Sequence, residues 1–101
     1  MKHGITINLD KPRTLRYGIN ALAKIEDLTN KPLVKLDLKN VGIKDLLIIT
    51  YAGLCHEDSN LTIEKVGDII DEYSSLGEIA EKVGEALTLA FGKEDKSSKG
   101  E

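Results

Sequence analysis

Cys55 and His56 stand side by side, and a thiol next to a base is where chemistry could start in this chain. Sequence neighbours on a helix project about 100° apart, so the pair does not converge. Cys55 therefore reads as a structural thiol at a helix end. His3 and His56 are the two histidines, and no Cys or His pair has the spacing of a zinc site. From Asp58 to Glu64 side-chain oxygens recur at alternate positions, as at the opening of a calcium loop. Ile63 occupies the position where that loop needs glycine, and Glu64 comes too early for its bidentate ligand. A capped helix start accounts for the same residues. Gly92-Lys93 lacks both the preceding glycine loop and the following hydroxyl of a phosphate-binding motif. No catalytic constellation, cofactor site or metal site is legible, and the expectation is a protein that is not an enzyme.

The elements that would have to position any site are easier to read. Ile5, Ile7 and Leu9 alternate with polar residues as a half-buried strand, Lys11-Pro12 makes the turn, and Leu15 and Tyr17 lie on the return strand. Asn20 is the expected N-cap of a short helix with Leu22, Ile25 and Leu28 on its stripe. Asn30 supplies its left-handed close, and Pro32 prevents continuation. Residues 33–41 alternate Val34, Leu36 and Leu38 with charged residues and read as a short third strand rather than a helix.

The most apolar run, Ile43 to Leu54, forms a helix with one stripe on Ile43, Leu46, Leu47, Thr50, Tyr51 and Leu54. Ile48, Ile49 and Ala52 lie opposite, so this helix should be central. After a polar loop at residues 57–60, Thr62 caps a helix whose stripe is Ile63, Val66, Ile70 and Tyr73, with Leu61 and Val66 as a hydrophobic staple. Ser75 and Glu78 form a capping box for a last helix with Leu76, Ile79, Ala80, Val83, Leu87, Ala90 and Phe91 inward and Gly92 at its end. The fold class is α+β: a single small domain over residues 1–92, with an N-terminal β-hairpin and a third short strand packed on about four helices. Residues 93–101 form a charged tail expected to be disordered.

Length, at 101 residues, allows one domain with its own core. No apolar run reaches the roughly 18 to 20 residues of a membrane span, and the N-terminus lacks the apolar block of a secretion signal. One cysteine rules out an internal disulfide framework. A cytoplasmic location, without membrane association, is the expectation. Charge is uneven: residues 1–40 hold eight bases against four acids, and residues 41–101 hold six against thirteen. Opposite ends of unlike sign favour head-to-tail self-association, the alternative being two solvated faces.

Nucleic acid is a poor fit. Helices joined at Tyr73–Leu76 could mimic a helix-turn-helix, but the second would present Glu78, Glu81 and Glu85 to phosphates. Lys11, Arg13 and Arg16 at the hairpin are the residues that could touch a phosphate backbone. Surface for a protein partner remains. Ile48, Ile49 and Ala52 are candidate docking residues for another copy or an apolar helix, the alternative being that the hairpin covers them. Leu89, off the stripe of the last helix, is a further candidate, although single exposed leucines are common.

A wider pattern emerges from the helix AsnAlaLeuAlaLysIleGluAspLeuThrAsnLysPro, the segment from TyrAlaGlyLeuCysHisGluAsp to AspIleIleAsp over residues 51–71, and the closing GluAlaLeuThrLeuAlaPheGly. In this order, over roughly residues 4–92, the chain resembles the tail assembly chaperones of long-tailed bacteriophages and their prophage relatives. The resemblance implies a non-enzymatic viral protein that binds the tape measure protein in the host bacterial cytoplasm and keeps it soluble. It also implies absence from the mature virion and a longer frameshifted product that recruits the tail tube protein. The alternative of another class is a small structural tail-completion or connector protein retained in the particle.

Overall fold

The hairpin forms where alternation places it. In the computed structural model, which describes residues 4–35 and 40–99 but not the side chains of Val34 and residues 92–99, β1 spans Ile5–Asn8 and β2 spans Pro12–Leu15. They pair antiparallel with Ile5 opposite Leu15, Thr6 opposite Thr14 and Asn8 opposite Pro12. Pro12 thus opens β2 rather than making the turn. It sits in a pair that exchanges no ladder bonds, where its missing N–H costs nothing.

Helix α1 spans Ile19–Thr29. Its N-cap is Gly18, with no side-chain bond, so Asn20 lies inside the first turn. Asn30 closes the helix at φ 61°, in the left-handed region that asparagine tolerates, and its N–H donates to the Glu26 carbonyl. A short 3₁₀ turn, Leu33–Lys35, follows where the third strand was expected to begin. Its Leu33 N–H is held by the Glu26 carboxylate at 2.8 Å. Residues 36–39 of that expected strand lie outside the described residues. Among the described residues the sheet has two strands.

Helix α2 spans Ile43–Leu54, α3 spans Ile63–Tyr73 and α4 spans Leu76–Lys99. Thr62 caps α3 as expected, its side chain accepting the Lys65 N–H. Leu61 and Val66 are both buried beside it. The capping box of α4 is half made. Ser75 Oγ accepts the Glu78 N–H, but the Glu78 carboxylate takes the Ser74 hydroxyl instead of reaching back to Ser75. The backbone of α4 carries on through Gly92, where the sequence suggests a stop. A glycine within a helix costs about 1 kcal/mol, and the Lys and Glu residues that follow are good helix formers with no proline to end the run.

α2 is the hub. Helices α1, α3 and α4 and strand β2 all pack against it. The core joins Ile7, Leu15, Tyr17 and Ile25 to Ile49 and Leu54 of α2, Val66 and Ile70 of α3, and Ile79, Val83 and Leu87 of α4. The joint between hairpin and hub is close. Tyr17 is buried, donates its hydroxyl to the Ile49 carbonyl at 2.6 Å, and lies so near Gly53 that a Cβ there would come 2.5 Å from its ring. Gly53 is thus the residue that admits Tyr17. Burial pushes the Tyr17 phenol well above its ordinary value, so it stays a donor.

Candidate functional site

Cys55, His56 and Asp58, singled out for chemistry, are engaged in holding the fold. Cys55 Sγ faces the Ala52 carbonyl at 3.7 Å. His56 Nε2 instead sits 2.9 Å from the Thr14 carbonyl oxygen, and Glu57 Oε1 accepts the Thr14 N–H at 3.1 Å. The two side chains therefore clasp one strand residue from both of its backbone groups. Asp58 Oδ1 accepts the Asn60 N–H at 3.0 Å and its Oδ2 lies 3.7 Å from Arg13 Nη1, so the calcium-like stretch is a turn tied to the hairpin. Among the described residues no group of three or more His, Cys, Asp or Glu could hold a metal ion. His3 lies outside them.

Arg13, one of the three hairpin bases that could have met phosphate, is only 4% exposed. Its guanidinium grips Asp10 with two bonds, at 2.8 and 2.9 Å. These bonds hold the Asp10 carboxyl below its ordinary value near 3.8 and raise the arginine further, each ion favouring the charged form of the other. The pair locks the turn. No described helix is long and apolar enough to cross a membrane.

The docking face proposed on α2 is corrected. Ile48, Ile49 and Ala52 are buried within this chain, Ile49 to 0% exposure. The domain supplies both coverings of its central helix, with β2 on one flank and, just past the strand's end at Leu15, Tyr17 and an Arg16 N–H bond to the Gly53 carbonyl. Leu89 does stay exposed, at 38%.

Other apolar side chains reach solvent where stripes run past their coverings. Ile43 in the first turn of α2 is 61% exposed; Tyr73, the last residue of α3, and Leu76, the first of α4, are also exposed. Ile43 and Leu76 flank a groove of about 260 Å³ whose floor includes Leu47, Gly67 and Ile70. The helical period places all three on buried stripes, and it does the same for Leu28 of α1 and Phe91 of α4, which are 44% and 39% exposed. Ile43, Tyr73, Leu76 and Leu28 lie at or next to helix ends, the one local sign against that assignment, whereas Phe91 lies inside α4. A second groove, of about 650 Å³, runs between Ile5 of β1 and the flank of α4 formed by Ala80, Gly84 and Leu89, with Glu81 and Glu85 on its lining.

Among the described residues the arrangement offers these two grooves with apolar linings. No family model matches this chain, and neither the curated proteins nor the solved structures yielded a match.

Proposed function

We propose that this protein is a tail assembly chaperone of a phage or prophage, which binds the tape measure protein in the host cytoplasm and keeps it soluble. The reading rests on the order of segments in residues 51–71. The observation that favours it most is the apolar groove edged by Ile43 and Leu76, with Tyr73 exposed nearby. A helical client with an apolar stripe can seat one or two side chains in such a groove. Each copy then adds modest contact, and several copies along a long client add up through avidity.

Co-expression with the tape measure gene tests this directly. The wild-type chain is expected to move that protein into the soluble fraction. Ile43→Asp and Leu76→Asp should abolish the effect while melting close to wild type, because both side chains are already exposed. Failure of the wild-type chain to solubilise the client overturns the proposal. Mass spectrometry of purified virions gives the complementary result: a chaperone is missing from the particle, whereas a tail-completion or connector protein is present.

A further inference from the structure

The two long edges of the hairpin differ. Thr14 spends its N–H and carbonyl on Glu57 and His56. Those groups therefore point away from β1, and the Thr6–Thr14 pair exchanges no ladder bonds. By the same parity the N–H and carbonyl groups of Thr6 and Asn8 point outward from β1. Among the described residues nothing bonds to them. From Gly4 to Asn8 the strand carries no charge and no proline, the usual guards of an exposed edge.

β2 is held against α2, while β1 packs on α4, and the groove lined by Ile5, Ala80, Gly84 and Leu89 lies between them. Gly84 sits inside that helix at a cost of about 1 kcal/mol relative to alanine. A Cβ built on it meets nothing within 4 Å, so packing within the chain does not demand glycine there. Glu81 and Glu85, four residues apart and both exposed, are a like-charge pair that a cation would relieve.

We propose that the β1 edge and this groove accept an extended segment of a partner protein whose groove-facing residues, every second one along the strand, include both apolar residues and Lys or Arg. Its backbone adds a strand to Thr6 and Asn8; side chains two residues apart share the groove face, where the apolar ones lie beside Ile5 and Leu89 and the cations reach Glu81 and Glu85. Charge complementarity selects this occupant over a second copy related by a two-fold axis, which would bring Glu81 and Glu85 toward their own images. The proposal stands apart from the chaperone reading, whose client meets the α2–α3–α4 groove.

The test titrates the full-length, isotope-labelled chain with an acetylated, amidated octapeptide that repeats valine, threonine, lysine, threonine, which puts its valines and lysines on one face. Binding is expected to slow exchange of the Thr6 and Asn8 amide protons by about tenfold or more, in line with new hydrogen bonds. N-methylation of two adjacent central residues blocks both edges of the peptide and should weaken it by about tenfold. Gly84→Leu should abolish binding while the chain melts no lower than wild type. A glutamate-for-lysine peptide should bind only the Glu81→Lys, Glu85→Lys double variant. Equal binding of the N-methylated peptide, or unaltered binding to a folded Gly84→Leu chain, overturns the proposal. So does finding that Thr6 and Asn8 are already protected in a free chain that sediments as a dimer.

Discussion

β1 and β2 are strands of equal length in one hairpin, yet the molecule treats their outer edges in opposite ways. Along β2, the Arg16 N–H meets the Gly53 carbonyl, and the two outward groups of Thr14 meet Glu57 and His56. The end of α2 and the loop after it thus act as a surrogate third strand, built from one carbonyl and two side chains. Along β1 the equivalent groups of Thr6 and Asn8 bond nothing among the described residues. Backbone groups brought against another element need partners, and the Gly53 carbonyl of α2 with His56 and Glu57 of the loop after it supplies them. The lesson is that the pairing of an edge follows from what is packed beside it. A closed edge anchors the domain, and an open one is available to another chain.

Removing the anchor should produce the largest effect. Tyr17→Ala deletes the ring seated on Gly53 and is expected to cost about 3–5 kcal/mol in urea unfolding, as other buried aromatic truncations do. If the cost is below about 1 kcal/mol, the β2 side is not the anchor.

Arg13→Met should cost about 2 kcal/mol, less than the full loss for a buried pair, because the Asp10 and Asp58 carboxylates left behind can rehydrate. Its pH dependence adds a signature. The Asp10 carboxyl is held below its ordinary value near 3.8, so its contribution is present above that value. It is lost as pH falls through the lower, folded-state pKa. Wild type and variant should therefore converge in acid, and parallel curves would show that the pair contributes nothing.

A proline pair separates the two edges. Thr14→Pro removes the donor to Glu57 and is expected to cost about 1–2 kcal/mol. Thr6→Pro removes a donor that bonds nothing among the described residues, and should stay within about 0.5 kcal/mol. Equal costs would erase the distinction. The smallest change is His56→Ala, at about 0.5–1 kcal/mol. It should be accompanied by faster exchange of the Thr14 amide, with the amides of β1 unaffected.

Much of this fold is legible from the chain. Gly42 and the polar run after Leu54 delimit an apolar stretch long enough for one helix, and α2 falls on those limits. Asn30, Thr62 and Ser75 act where their side chains are placed by sequence, because capping and left-handed turns depend on a few adjacent residues. The alternation in Ile5, Ile7 and Leu9 gives the core face of β1 directly.

Other features were out of reach for a specific reason. A helix apolar on both sides shows that Ile48, Ile49 and Ala52 need cover, but not whether this chain or another provides it. The Asp10–Arg13 pair has a local signature, an acid three residues ahead of a base across a turn, yet its burial depends on Asp58 arriving from the far end of α2. Ile43, Tyr73 and Leu76 fit their stripes by period and still reach water, since a stripe records the face that turns inward and not where the neighbouring element ends.

Sequence by itself therefore determined the hairpin, the four helices, the caps at Asn30, Thr62 and Ser75 and the α+β class, because those rest on side-chain chemistry within a few residues. Only the tertiary structure decided which apolar faces are covered, which strand edge is closed and which grooves stay open. Those outcomes depend on residues distant along the chain coming to lie within a few ångströms of one another.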